Sequence, residues 1–305
     1  MKDVVIVNVN PMHKPIIEQY GLDVVTTRRE LHIVMRIVRS LLLRLNPYLI
    51  YLFNKTNWLQ EIKDYDTVVI FDSLDIVKIS KDVADSYPEK KVVVLYINPI
   101  RGSFQTDLKQ YAEVWTTDYE DSLKFGLKYG GQFIYEKYLD GLPKSIKYDL
   151  YFVGIDKGRF KHIKELEKKL TNDFEMTTNI RYVSPIKSLF DKSYSRRIPY
   201  SKVMTETAQS RMILEYNQEG QEGLTLRCIE ALVMRKKIIT NNKNIKKYDF
   251  YNPNNIYIIQ DDSLKGLKEF ISGDYTLDPE KMESNYYFSS LLNRILSDRE
   301  LKDRK

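Results

Sequence analysis

The sequence is poor in residues that cross-link a fold. A single cysteine, Cys228, among 305 residues excludes an internal disulfide framework and cysteine-rich zinc sites. The three histidines, His13, His32 and His162, lack the spacing of metal ligands, so no metal site is expected. Glycine is scarce, 12 residues or close to half the usual ~7%. That excludes collagen-like and low-complexity chains and makes each glycine beside a strand end worth inspecting. No apolar run approaches the ~18 residues of a spanning helix, and the opening MKDVVIVNVNP is too short in apolar residues for a signal peptide. A soluble chain in a reducing, cytoplasmic compartment is expected, with room for peripheral contact at the inner face of the plasma membrane.

What is present is the composition of a folded protein, 43% hydrophobic and 30% charged. Forty-eight basic residues against 42 acidic ones give a net charge of +6, which permits an anionic partner without naming one. The length fits two domains. In the first half, short β-branched runs at Val4 to Val7, Val68 to Phe71, Val92 to Tyr96 and Val114 to Thr116 alternate with helical stretches such as Leu74 to Ser86. Continuous apolar strands alternating with helices predict a parallel sheet buried on both faces. The pattern lapses at Glu136 to Lys147, read as a linker. It then resumes with strands at Asp149 to Val153, Ile180 to Val183, Arg211 to Leu214, Lys237 to Thr240 and Ile256 to Ile259. Helices are expected at Phe160 to Leu170, Ser201 to Gln209, Leu224 to Arg235, Leu264 to Ile271 and Met282 to Leu296. The expected fold is α/β, with two Rossmann-like domains facing across a cleft. Residues 1–140 would form the first domain and 148–280 the second, while a terminal helix within 281–305 packs back toward the first.

The strongest local signal is Gln221-Glu-Gly-Leu-Thr-Leu-Arg-Cys-Ile-Glu-Ala-Leu232, which follows a strand and a polar loop and opens a helix. Gly223 at that junction lets a ligand approach the backbone, and the first-turn amides form an anion site. Arg227 projects from the same turn and can add a charge-assisted contact to a diphosphate. Glu230, two turns in, can accept hydrogen bonds from ribose hydroxyls. The spacing equally fits an ordinary amphipathic helix, with Leu226, Ile229, Leu232 and Val233 inward and Glu230 a solvated charge.

Glu222-Gly-Leu-Thr-Leu-Arg-Cys-Ile-Glu230-Ala-Leu, followed by Lys236-Lys-Ile-Ile-Thr240, resembles the Glu-x7-Glu region of GT-B glycosyltransferases. Residues 221–251 are more narrowly similar to bacterial capsular polysaccharide and lipopolysaccharide biosynthesis transferases. The resemblance implies a sugar transferase using a nucleotide-diphosphate sugar, UDP-linked by expectation, without a bound metal, and a lipid-linked oligosaccharide acceptor. It places the donor diphosphate at Gly154, with Lys157 and Arg159 as cations. Glu222, Gly223, Leu224 and Thr225 would face the sugar and diphosphate, Glu230 the ribose, and Ser184, within Tyr182 to Pro185, the base. Gln218, Glu219 and Gln221 crowd the first glutamate and leave the anomeric outcome open. An inverting enzyme needs a general base from the first domain; His13 and Asp72, at strand ends, are candidates beside Glu222. Each also fits a plain role, Asp72 as a helix cap and His13 as an exposed loop residue.

Residues Arg28 to Leu45 form a second informative stretch. On a helical wheel five arginines occupy one arc of about 160°, and Leu31, Val34, Met35, Val38, Leu41, Leu42 and Leu45 lie on the other side. Five arginines and one glutamate give +4. Two uses fit: a core helix with a solvated basic face, or contact with an anionic membrane surface. Competing functions are a nucleotide-sugar epimerase or hydrolase of the same fold and a noncatalytic binding protein. No nucleic-acid module is present, so no nucleic-acid partner is expected.

Overall fold

The computed structural model describes residues 3–9, 13–100, 104–184, 186–218, 223–261, 263–277 and 283–301. The chain divides into two compact units, residues 1–131 with 291–301, and residues 132–290.

The first unit contains six parallel strands, β1 (Val4–Val7), β2 (Asp23–Val25), β3 (Thr67–Phe71), β4 (Lys91–Tyr96), β5 (Glu113–Thr116) and β6 (Lys128–Tyr129), in the order β2-β1-β3-β4-β5-β6. Helices α1 (Lys14–Glu18), α2 (Ile33–Leu45), α3 (Ile76–Ser86) and α4 (Tyr119–Phe125) lie between the strands in sequence. The VVIV, TVVIF and KVVVLY runs are stiff at χ1 and apolar on both faces, which suits central parallel strands. Val68, Ile70, Ile79, Val83, Val94 and Leu108 share one core cluster. Strand order reverses between β1 and β3. The loops that follow those strands, carrying His13 and Asp72, therefore open onto the crevice where doubly wound sheets bind ligands.

The second unit repeats the plan with β7 (Tyr148–Ile155), β8 (Thr178–Val183), β9 (Tyr194–Ser195), β10 (Ser210–Glu215), β11 (Lys237–Thr240) and β12 (Ile256–Ile258), all parallel in the order β12-β11-β10-β7-β8-β9. Its helices are α5 (Phe160–Phe174), α6 (Tyr200–Ala208), α7 (Leu226–Val233), α8 (Leu267–Ser272) and α9 (Phe288–Ser297), the last running on into the first unit's residues. Here the order reverses between β7 and β10, so the loops after those two strands flank the switch point. Leu150, Phe152, Ile163, Leu170, Leu214, Ile239 and Leu267 belong to the core.

Several expectations shift. The division between units falls at residues 131/132, ahead of the polar 136–147 stretch, because Phe133, Ile134 and Tyr135 are buried in the second unit. Phe133 and Tyr135 pack against Phe288, and Glu136–Leu139 is a short 3-10 turn. The final helix starts at Phe288, after a 3-10 turn at Glu283–Tyr286. Within the first unit the returning segment is bound by Lys91 Nζ to the Ile295 carbonyl (3.0 Å), by Arg294 to the Gly130 carbonyl (2.9 Å) and by the Leu301 amide to the Tyr129 carbonyl (3.0 Å). Edge strands β2, β6 and β9, of two or three residues, carry no periodicity to detect. The core-helix use of Arg28 to Leu45 is contradicted: Val34, Met35, Val38, Leu41 and Leu45 are all exposed.

Candidate active site

The carboxyl end of β7 turns sharply. Lys157 and Gly158 take left-handed conformations (φ +47° and +83°), which reverses the chain into α5. Asp156 fixes the turn: its Oδ1 accepts the Phe160 amide (2.9 Å), and Oδ2 accepts the Tyr194 hydroxyl (3.0 Å) and Lys187 Nζ (3.3 Å). Burial opposes ionisation of Asp156, but the Phe160 amide, the Tyr194 hydroxyl and Lys187 together hold its carboxyl below the ordinary value. Lys157 itself is exposed.

Two guanidinium groups converge at the switch point. Arg159 is buried and donates to the carbonyls of Tyr216 and Ile155 (3.2 Å to the latter). Arg227, from the first turn of α7, donates through Nε to the Val153 carbonyl at 2.9 Å. Both lie over the Phe152 ring, at 5.2 and 4.8 Å from its centroid. Gly154 makes this possible, since a Cβ there would stand 2.6 Å from Arg227 Nη2 and 3.0 Å from Arg159 Nη2. All these bonds end on main-chain carbonyls, none on a carboxylate, and Arg159 Nε has no hydrogen-bond partner among the described residues. Burial, and then the charge of Arg227, push Arg159 down to about 10, so it stays cationic at neutral pH. Asp156 and Glu215 act on Arg159 through their charge, but among the described residues neither guanidinium hydrogen-bonds a carboxylate, and an anion such as a diphosphate can span two such donors.

The start of α7 is held by Glu215, at the end of β10 and wholly buried. Its Oε1 accepts the Thr225 amide (3.2 Å) and hydroxyl (2.9 Å), while Oε2 accepts the Thr240 hydroxyl (2.8 Å). One carboxylate thus joins β10, β11 and α7. The Gly223 carbonyl accepts from Asn217 (3.3 Å) and Asn242 (3.4 Å), and the Asn217 amide donates to Asn241 (2.7 Å). Gly223, Leu224 and Thr225 are half-buried at this edge. Glu222 lies outside the described residues, as does Pro185.

Glu230 is only 3% exposed, which overturns its reading as a solvated charge. It accepts the Tyr200 hydroxyl at 2.8 Å. Burial pushes its carboxyl up, opposed by Tyr200 and Arg227. A hydroxyl donor already occupies the carboxylate, the same chemistry a ribose would offer. Ser184, at the end of β8, receives the Lys187 amide on its hydroxyl (3.4 Å) and donates its own amide to Ser195 (3.1 Å).

In the first unit, Asp72 accepts the Ile97 amide (3.3 Å) and the Asn98 side chain (3.2 Å). It bridges the ends of β3 and β4 and is not a helix cap; Asp75 holds the cap position of α3. Burial raises the Asp72 carboxyl against those two hydrogen bonds. His13 stands at the cap position of α1 and is half-buried, not an exposed loop residue, and burial lowers its pKa.

The structure thus brings together Gly154, Arg159, Gly223, Leu224, Thr225 and Arg227 about one switch point and seats Glu230 one turn deeper in α7. His13 and Asp72 belong to the first unit. Sequence reasoning missed Asp156, Lys187, Tyr194, Glu215, Asn217, Asn241 and Asn242. Only Glu215 carried a signal, a carboxylate directly after the apolar run Met212 to Leu214 of β10.

Two successive doubly wound α/β units, each on a parallel six-stranded sheet, have the architecture of the GT-B fold. Among solved structures the chain resembles a lipopolysaccharide outer core galactosyltransferase, WaaB, in its apo form, at 11% identity and TM-score 0.50, covering 98% of this chain and 100% of the other. It also resembles an alpha-glucosyltransferase solved with UDP and a 13-mer DNA, at 11% identity and TM-score 0.54, covering 97% and 98%. No protein-family model matches the chain, and no curated protein matches it in sequence.

Proposed function

We propose that this protein is a metal-independent glycosyltransferase that moves a sugar from a nucleotide-diphosphate donor, UDP-linked, to a lipid-linked oligosaccharide at the inner face of the plasma membrane, in bacterial surface polysaccharide synthesis. The observation that carries the reading is the Arg159–Arg227 pair beneath Gly154 at the second unit's switch point. In the reaction the acceptor oxygen bonds to the anomeric carbon, the bond from that carbon to the diphosphate breaks, and the leaving oxygen keeps the electron pair. The two guanidinium groups and the first amides of α7 meet that growing charge without reorganising. Gly223, Leu224 and Thr225 border the sugar beside Glu222, Glu230 takes the ribose, Ser184 lies toward the base, and Lys157 adds positive potential. Asp72 accepts the acceptor's proton; its raised carboxyl is a stronger base than an ordinary aspartate. His13 is the second candidate for that step.

A thermal-shift screen against nucleoside diphosphates, followed by donor turnover with and without a lipid-linked oligosaccharide, tests this. Stabilisation by one diphosphate nucleoside, lost in Arg227→Ala, and nucleotide release that needs acceptor are expected. Turnover that alters the donor sugar without acceptor would transfer the assignment to an epimerase or hydrolase. No stabilisation by any nucleotide would leave only a binding protein.

A further inference from the structure

Residues 29–53 leave the sheet of the first unit after β2 as a lobe with a closed base. Arg28 and Asn54 form an antiparallel bridge, the Arg29 amide donates to the Phe53 carbonyl (2.9 Å), and the Lys55 amide donates to the Thr27 carbonyl (2.7 Å). Arg28 then clamps this base to the unit through two bonds to Asp75, at 2.6 and 2.7 Å, and the Asn54 side chain adds a third at 2.9 Å. Inside the lobe α2 packs against the 3-10 turn Pro47–Phe53.

The apolar side of α2 faces outward. Val34 is 59% exposed, Leu41 55% and Leu45 83%, with Met35 and Val38 between them and Tyr51 and Leu52 of the 3-10 turn also exposed. Seven of the sixteen large apolar side chains exposed among the described residues fall in this one lobe. Scattered apolar residues need no partner, but a contiguous set does. At 100° per residue the exposed set covers about 120° of α2, with Arg39 and Arg44 on its two flanks and Arg36 opposite.

Charge selects the occupant. The lobe holds Arg29, Arg36, Arg39 and Arg44 against Glu30 alone. The hydrogen bonds of Arg29 and Arg36 go to the carbonyls of Asn54 and Leu31, so their charge is not neutralised. An apolar stripe flanked by arginines matches the boundary between anionic headgroups and acyl chains. A second copy of the chain would instead set arginine against arginine. Among the described residues no helix is long and apolar enough to cross a membrane, and 13 residues reach about 20 Å, which suits a helix lying in the surface plane.

We propose that the 29–53 lobe is a docking finger that inserts the Val34, Val38, Leu41 and Leu45 stripe of α2 into an anionic lipid surface, its arginines at the headgroups. It rests on the first unit alone and stands whether or not the donor assignment holds.

The test is co-sedimentation of the full chain with vesicles of phosphatidylglycerol and phosphatidylcholine, compared with phosphatidylcholine alone. Partition onto the anionic vesicles should be at least about tenfold stronger and weaken with salt, and each of Arg39→Gln and Arg44→Gln should lower it about fivefold. Val38→Asn with Leu41→Asn should abolish it; both positions are exposed, so an unchanged melting temperature verifies the fold. No binding, equal binding to both vesicle types, or a dimer in light scattering that Val38→Asn with Leu41→Asn dissolves would each overturn the proposal.

Discussion

Arg159 and Arg227 point their guanidinium groups into the space that Gly154 leaves by having no side chain, 2.6 Å from Arg227 and 3.0 Å from Arg159 when a Cβ is built there. Both rest on the same ring, Phe152, and both donate to main-chain carbonyls. An arginine pair of this kind is stable because aromatic faces and carbonyl dipoles soften the repulsion, and it becomes more stable when an anion arrives.

Three substitutions follow from that relationship. Arg159→Ala and Arg227→Ala should each weaken nucleoside-diphosphate binding about 10- to 100-fold, the value of a charge-assisted hydrogen bond. Gly154→Ala would push against the ends of both arginines and stand 3.1 Å from the Phe152 ring in the core, so it should lose about tenfold in affinity with a small drop in melting temperature. Titration calorimetry with UDP measures all three. Unchanged affinity in both arginine variants would remove the anion seat.

Glu230 makes a prediction about pH. Its carboxyl is pushed up in the folded state relative to an ordinary 4.5, by burial. The folded protein therefore holds this proton more tightly than the unfolded chain, and the associated stability is present at low pH and lost as pH rises through the folded pKa. Glu230→Gln, which keeps an acceptor for Tyr200, should raise the melting temperature by about 2–4 °C near pH 8 and leave it unchanged near pH 4. The same variant should weaken binding of the nucleotide. Loss of affinity with a raised melting temperature separates a ribose contact from a purely structural carboxylate.

Asp72 and His13 are distinguished by kinetics. Asp72→Asn should lower kcat by about 10²- to 10⁴-fold with donor affinity unchanged, because it lies in the first unit. Since burial raises the Asp72 carboxyl, the acid limb of the wild-type pH profile should fall above the ordinary aspartate range. His13→Gln should leave that limb in place. An acid limb that vanishes in His13→Gln and survives in Asp72→Asn would exchange their roles.

Asp75 anchors the lobe of residues 29–53. Its desolvation is outweighed by Arg28 and Asn54, which hold the carboxyl below its usual value. The stabilisation is therefore present above the unfolded pKa and is lost as pH falls through the lower, folded one. Asp75→Asn leaves Arg28 without its partner, at a cost of about 3 kcal/mol for a largely buried pair. Hydrogen exchange should report it locally, as faster exchange of the Arg29 and Lys55 amides with little change in the second unit. Uniform loss of protection across the chain would mean that Asp75 serves the unit as a whole.

Much of the candidate site is legible in the sequence. Gly154, Arg159, Gly223, Arg227 and Glu230 stand out because glycines are few and because strand ends and helix starts follow from local patterning. Glu215 was not singled out, although a carboxylate ending RMILE is the one clue that a buried charge must find partners. Asp156, Lys187 and Tyr194 act as one unit, yet they are 31 and 38 residues apart in the chain, and no local rule joins them.

The sequence by itself determined the alternation of β-branched runs and helices, and hence two parallel α/β units, because strand stiffness and apolar periodicity are local properties. Tertiary structure alone decided three things: that Arg159 and Arg227 share the Phe152 ring, that Tyr200 covers Glu230, and that the apolar side of α2 faces solvent. Each depends on strand order and on contacts between distant segments. A helical wheel records which side chains share a face, and only the packed chain determines whether anything lies against it.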